Sequence, residues 1–362
     1  MGFDSNDPLS TAVRELQQVF PDRSLEIERV DVDASGYLQL TATSSAGERW
    51  FTHDDRGLIE QKPLTDSELP LSGKLSNGHL GMWRTLSYRP GRRIVIEASH
   101  QGHITVLKGY RRKKSTRATM NHRIAEEAME RGAFQVPRLV RHEHELETIV
   151  FDRIEGEPFH LDESAVESCF RIGAKLAVFQ QHPRAVELRT FSPRDEIGVI
   201  DAWRRKVLAG AGGLPRGWRE VRDELDAALD RLLEPELGLC HRDLHDGQFL
   251  LVDGRPALLD FDLLCQADVA LDPGNLLAHF SLRTLQGFRG ADEHSMRACG
   301  EALIDGLDRQ QDDAFWSRLR FYQASSFLRL ALVYRLRPKW SKLSESLVEL
   351  GKRCLEDQVR IG

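Results

Sequence analysis

His241-Arg242-Asp243-Leu244-His245-Asp246-Gly247-Gln248 is followed by an apolar run that ends in Leu259-Asp260-Phe261-Asp262. The first carboxylate, Asp243, stands on a short polar loop. The second, Asp260, comes seventeen residues later at the end of a strand-like stretch. Phosphoryl transfer requires this separation of roles, with a hydroxyl-orienting base on one loop and a magnesium ligand on the next. The rest of the chain is read outward from this pair.

Upstream of the loop the periodicity is helical, over Ala165–Gln181, Asp201–Ala209 and Gly217–Leu233; downstream it is helical again over Asn275–Leu285, Ser295–Leu307 and Ala314–Arg335. Further upstream the chain is strand-rich. Thr148–Ile154 and Arg138–His142 follow Pro137, and His103–Tyr110 and Arg92–Ala98 flank Ser99-His100-Gln101-Gly102 as a hairpin. A strand-rich part feeding a helix-rich part through the connector Glu155-Gly156-Glu157-Pro158 describes two lobes with a cleft between them. The first eighty residues read as a helix (Leu9–Phe20) and an antiparallel meander (Leu25–Val32, Gly36–Thr43, Glu48–Phe51), with one slip in alternation at Arg29. Pro63, Pro70, Ser72-Gly73 and Asn77-Gly78 then mark a loop-rich boundary. The expected division is a β-rich accessory domain over 1–80, a strand lobe over 81–156 and a helical lobe over 157–362.

Between the strands lies a helix, roughly Thr116 to Arg131, with Met120, Ile124, Glu127 and Ala128 at helical spacing on one face. An acid on an inward face needs a partner, and Lys108, in the apolar strand Ile104–Lys108, needs one too. The expectation is that they pair, as a lysine and a helix glutamate do where nucleotide phosphates are held, with Glu126 as the competing partner.

Composition narrows the class. A chain of 362 residues with 41% hydrophobic and 29% charged residues is ordinary for globular domains, and no apolar run reaches the length of a membrane span. The start, Met1–Asp7, has neither a basic region nor an apolar stretch of signal-peptide type, so a cytoplasmic protein is expected. Five scattered cysteines without a Cys-x-x-Cys pair suggest reduced core thiols rather than disulfides or a zinc ribbon. The net charge of −6 hides an asymmetry: residues 1–80 carry −7, whereas residues 81–125 carry +10. Arg111-Arg112-Lys113-Lys114 lacks the interleaved aromatics of a nucleic-acid surface, so attraction of an anionic nucleotide or a solvated turn explains it better. No nucleic-acid partner is expected.

Together, the catalytic-loop stretch, Asp260-Phe261-Asp262, the strand Ile149–Ile154 with its connector, and Leu271-Asp272-Pro273-Gly274-Asn275-Leu276-Leu277-Ala278-His279 resemble the aminoglycoside phosphotransferase and choline kinase-like superfamily over about residues 85–340. The resemblance implies an α+β, protein-kinase-like, two-lobed fold with an extra N-terminal meander, and ATP and magnesium as cofactors. It implies adenine bonded near Asp152–Ile154, Asp243 as catalytic aspartate, Asp260 as metal ligand, His241 as a structural histidine and Asp272 as a scaffold for the loop. Lys108 corresponds to the phosphate-binding lysine and Glu127 to its partner.

The chain departs from the pattern in two places. Gln248 stands where the family usually has Asn, as in maltokinase-like sugar kinases, keeping a ligating amide oxygen one methylene further out. No G-x-G-x-x-G occurs in the first lobe; the nucleotide loop is Ser99-His100-Gln101-Gly102-His103, or its function passes to the arginines of Tyr88-Arg89-Pro90-Gly91-Arg92-Arg93. The expected function is phosphorylation of a hydroxyl on a sugar, an amino sugar or an antibiotic. The alternatives are a kinase for cationic acceptors of aminoglycoside or choline type, suggested by the acids Asp162-Glu163, Asp195-Glu196 and Asp312-Asp313; a silent nucleotide-binding module; and a metal hydrolase built on His241, Asp243 and His245.

Overall fold

The computed structural model describes residues 7–20, 25–33, 35–45, 47–76, 81–100, 102–183, 188–288, 290–309 and 312–356. Helix α1 (Pro8–Val19) starts at Asp7, whose carboxylate accepts the Ser10 amide (2.7 Å), and buries Leu9, Ala12 and Leu16 on one stripe. It leads into the antiparallel meander β1 (Glu26–Val32), β2 (Leu38–Ser44), β3 (Gly47–Asp54) and β4 (Gly57–Gln61). The slip in alternation at Arg29 is a register shift between Ile27 and Arg29 against β2. Val30, Val32, Leu40 and Phe51 of the meander lie in one core with the helical lobe, and the Val30 amide donates to the Leu336 carbonyl (3.1 Å).

The loop-rich boundary contains a helix that the sequence reading does not anticipate. Pro63, Pro70 and Gly73 conceal α2 (Pro70–Ser76), whose Leu71 and Leu75 are buried against the sheet of the strand lobe. Its close approach depends on Gly109, because a Cβ there would sit 2.8 Å from Leu71 Cδ2. Asn77-Gly78 of the expected boundary and Gln101 of the expected hairpin lie outside the described residues.

The strand lobe consists of β5 (Met82–Arg89), β6 (Arg93–His100), β7 (His103–Tyr110), α3 (Ser115–Glu130), β8 (Leu139–Glu143) and β9 (Thr148–Asp152), in the antiparallel order β5-β6-β7-β9-β8. Lys114 gives α3 no side-chain cap. Glu147 caps it from a distance: its carboxylate accepts the amides of Lys113, Lys114 and Ser115 and the Ser115 hydroxyl at 2.7–3.2 Å.

After the two-residue strand β10 (Glu157–Pro158) the chain becomes helical, with α4 (Val166–Gln180), α5 (Pro193–Ala211) and α6 (Trp218–Asp230). Strands β11 (Leu237–Cys240), β12 (Phe249–Val252), β13 (Arg255–Leu258) and β14 (Cys265–Asp268) come next. Helices α7 (Leu271–Leu285), α8 (Glu293–Leu307), α9 (Asp313–Arg335) and α10 (Leu343–Leu355) complete the lobe. Pairing of β11 with β14 and of β12 with β13 and β10 clamps the two quoted motifs side by side. All five cysteines are buried and free. No described helix is long and apolar enough to cross a membrane.

Candidate active site

The loop after β11 is held by groups beneath it. Asp272, buried in the first turn of α7, accepts the amides of His241 (2.6 Å) and Arg242 (2.7 Å). His241 is fully buried, and the Asp243 amide donates to its Nδ1 (3.3 Å), so its Nε2 carries the proton and donates to the Leu259 carbonyl (2.8 Å). Asn275 donates to the Leu244 carbonyl (2.8 Å) and is itself fixed by Arg329 (2.6 Å). Arg242 adopts a left-handed φ of 71°, a strained conformation that turns the chain sharply before Asp243. The side chain of Asp243 is left half-buried on a loop whose shape does not depend on it.

Asp260 stands just after β13, also left-handed (φ 63°), and the Leu259 amide bonded to the Gln248 carbonyl (3.0 Å) fixes it beside Gln248. Two cations of the strand lobe reach across to it. Lys108 Nζ lies 2.8 Å from both Asp260 and Asp262; Arg93 lies 3.1 Å from Asp260 and 2.8 Å from Asp262; and Tyr110 donates to Asp262 (2.7 Å). Burial alone would raise the Asp260 carboxyl, but Lys108 and Arg93 outweigh it and hold the group far below the ordinary carboxylate range. Asp260 is therefore ionised throughout the neutral range. Burial, with the Asp262 carboxylate beside it, pushes the Tyr110 phenol well up, so it stays a donor.

These groups close one end of a cavity of about 570 Å³ between the lobes. Val95, Val106, Ile149, Phe151 and Leu250 line its apolar part, while Gln248, Asp260 and Asp262 line its polar part. At the connector the β7–β9 ladder ends at Thr105–Asp152 and pairing resumes at Glu157, so the backbone of 153–156 runs along the cavity between two ladders. The Asp152 amide is bonded to the Arg138 carbonyl (3.0 Å), and its carboxylate is engaged by Arg138 and His103.

Three expectations need correction. Lys108 pairs with Asp260 and Asp262, not with Glu127 or Glu126: Glu127 points outward beside His182 (3.8 Å), and Glu126 accepts the Leu139 amide (2.7 Å). The buried face of α3 keeps Ile124 and Ala128 of the expected stripe but is centred towards Ala118, Asn121, His122 and Ala125, which leaves Glu127 outside, with Asn121 donating to the carbonyls of Phe261 and Asp262. Second, the turn at the Lys108 end of the sheet joins β5 to β6. Lys108 pairs with Val95, two residues from Arg93 (~7 Å along a strand) but five from His100 (~17 Å), so Arg89–Arg93 and not His100 lies at the Lys108–Asp260 end of the sheet. Its amides are already used: Gly91 donates to Asp66 (2.8 Å), Arg92 to the Arg89 carbonyl (3.0 Å). Third, both His241 nitrogens are committed, which removes the zinc arrangement of His241, Asp243 and His245. The nearest cluster of metal-ligand type, His245, Asp246 and His279, has its carboxylate held by Arg283 (2.9 and 3.1 Å).

Arg93 is one of the arginines that the sequence offers in place of a glycine loop; Tyr110 and the role of Asp262 are what sequence reasoning missed, together with His122 at the back of the cavity. Burial holds the His122 ring at about 4, despite its bond from Nε2 to the Pro137 carbonyl (2.6 Å). The unfolded chain therefore binds a proton below about pH 6.5 that the folded chain refuses. The stability from this site is complete above that pH and declines as pH falls toward 4. Compared with His122→Gln, wild type should lose up to about 1.4 kcal/mol more per pH unit in that window. Denaturant unfolding at stepped pH reads this difference, and parallel profiles would exonerate His122.

The sequence matches the phosphotransferase enzyme family over residues 92–309. No curated protein matches. Among solved structures, a choline/ethanolamine kinase family protein from Mesorhizobium loti superposes with a TM-score of 0.56 at 17% identity, covering 82% of this chain and 95% of its own. A choline kinase from Streptococcus pneumoniae gives 0.54 at 14% identity, covering 79% and 98%. An amicoumacin kinase, solved with AMP-PNP and Ca2+, gives 0.56 at 13% identity, covering 82% and 96%. At such identities the likeness is one of fold.

Proposed function

This chain belongs to the phosphotransferase enzyme family, and from that premise we propose that it is an ATP-dependent kinase that phosphorylates a hydroxyl of a small polar metabolite of sugar type. The observation that carries this reading is the meeting of Lys108 and Arg93 with Asp260 and Asp262 at the polar end of an interlobe cavity whose other end is apolar. The apolar end suits a purine ring, with the adenine edge bonded to backbone at Ile154, since the amide of Asp152 is already used.

The donor set suits magnesium. Asp260, Asp262 and the Gln248 amide offer hard oxygens on one cavity wall, and Lys108 and Arg93 stand where a divalent ion would replace them as counter-charge. Bound with the nucleotide, magnesium would neutralise phosphate charge and align the phosphates. Lys108 and Arg93, released from the two carboxylates, hold phosphate oxygens as charge-assisted donors. Asp243 accepts the hydrogen bond of the acceptor hydroxyl and aims its oxygen at the γ-phosphorus. The new O–P bond forms as the bond to the β–γ bridging oxygen breaks; ADP leaves with that electron pair, and the hydroxyl proton passes to Asp243 and on to solvent. Asp272, His241 and Asn275 act by keeping the loop in this position.

Calorimetric titration with magnesium-ATP tests the nucleotide half of the reading. Wild type should bind, and Lys108→Ala should bind about tenfold or more weakly, the effect of one lost hydrogen bond between charged groups. Identical titration curves for the two proteins would take Lys108 out of the site. A screen of sugars and amino sugars for ATP consumption addresses the acceptor.

A further inference from the structure

A second cavity, of about 1180 Å³, adjoins the first: Tyr110, Ala118 and Asp262 line both. It is walled by the β5–β6 turn and the start of α3 from the strand lobe, by α5 from the helical lobe, and by the β1–β2 turn of the meander. Its charged lining is one-sided. Arg92, Arg111, Lys114 and Arg117 face it from one lobe, Arg205 and Lys206 from the other. Among the described residues none of these six makes a salt bridge, though Lys206 lies over the Trp203 ring (4.6 Å). The two acids in the lining are occupied: Asp33 accepts the amides of Ser35 and Tyr37 (2.8 and 3.0 Å), and Asp262 is held by Lys108, Arg93 and Tyr110.

Unpaired cations on a free surface are merely solvated, but part of this set is not on one. Arg92 and Lys206 are half-buried, and behind the turn the Nε of Arg89 is buried without a partner. Burial and Arg92 hold Lys206 below the usual lysine range, outweighing the opposite pull of Asp31, as expected of like charges brought close together. Such crowding is relieved by an anion. Of the six acids that favour a cationic acceptor in the sequence, four are, by contrast, committed elsewhere. Asp195 closes the capping box of α5, Asp312 caps α9, Asp162 accepts the Ser164 amide, and Glu196 is buried against Arg329 (3.4 Å).

We propose that this cavity anchors the acceptor and that the acceptor itself carries a phosphate group, so that the substrate is a phosphorylated sugar or polyol. This deepens the kinase reading and rests on it. Guanidinium groups converging from two lobes match a phosphate dianion better than a single carboxylate, because its oxygens can accept bidentate bonds from several directions. The two cavities share Tyr110 and Asp262, so a molecule anchored in the second lies beside the polar end of the first. Because the cations come from both lobes, the dianion also draws the lobes together around the acceptor.

The test uses the full chain saturated with magnesium and a non-hydrolysable ATP analogue, into which inorganic phosphate is titrated. Wild type should bind phosphate, and Arg205→Gln/Lys206→Gln should bind it about tenfold or more weakly while nucleotide affinity stays within about twofold. Arg117→Gln, on the opposite lobe, should weaken phosphate in the same way. The nucleotide titration also reports that each variant is folded. In ATP-consumption assays phosphate-bearing sugars should be preferred over their parent sugars, with KM raised and kcat retained in the double variant. Phosphate affinity indifferent to both variants, or phosphate-bearing sugars turned over no better than their parent sugars with KM unchanged in the double variant, overturns the inference and leaves the kinase reading standing. Absent nucleotide binding by wild type overturns both.

Discussion

Asp243→Asn will lower turnover by about 10²-fold or more while nucleotide affinity stays within about twofold of wild type. The substitution removes a negative charge and a proton acceptor and changes shape very little. The loop around it is fixed by bonds that do not involve the Asp243 side chain: Asp272 holds the amides of His241 and Arg242, His241 holds the Asp243 amide, and Asn275 holds the Leu244 carbonyl. A lost rate therefore reports lost chemistry. Asp243 does not line the nucleotide cavity, so ground-state nucleotide binding gives an internal control. Turnover within about threefold of wild type would take Asp243 out of the mechanism. A wild type that binds nucleotide yet consumes none with any acceptor would favour the silent-module alternative.

The polar cluster from His241 to Asp272 is legible in the sequence because most of its members fix backbone that an apolar residue would leave unpaired. His241, Asp243, Asp260 and Asp272 are polar residues inside otherwise apolar strand and helix ends, where an unpartnered polar group is disfavoured, and the structure gives His241, Asp260 and Asp272 partners. What remained hidden depends on rotation or on long-range pairing. The inward face of α3 differs from the expected one by a fraction of a turn, enough to place Glu127 outside and Asn121 and His122 inside. Lys108 met two aspartates more than 150 residues away, a contact that no local pattern announces. Strand β5 was missed because its side chains are mostly exposed or half-buried, so its apolar alternation is weak, and without it the β6–β7 turn seemed to be the first hairpin of the lobe. One signal was present and overlooked. Ser192-Pro193-Arg194-Asp195 is a capping box with proline at the first helical position, and it starts α5 eight residues before the expected Asp201.

Asp260→Ala should abolish the metal dependence of nucleotide binding without abolishing nucleotide binding itself. In wild type, Asp260 and Asp262 repel the phosphates of free ATP and also occupy Lys108 and Arg93. A divalent ion relieves both effects, so magnesium should strengthen nucleotide binding in wild type by about tenfold or more. Without the Asp260 carboxylate the principal hard ligand is gone, while Lys108 and Arg93 retain only Asp262 and are freer to meet phosphate. The variant should then bind metal-free ATP as tightly as wild type or several-fold more tightly, with the magnesium increment reduced to about twofold or less. Gln248→Asn, which keeps an amide oxygen but draws it back by ~1.5 Å, should retain part of the increment. Titrations of ATP with and without magnesium on the three proteins give these numbers directly. An unchanged magnesium increment in Asp260→Ala would mean that the metal is held elsewhere, and the pairing of Asp260 with Lys108 would then be a structural latch between lobes rather than the resting state of a phosphate site.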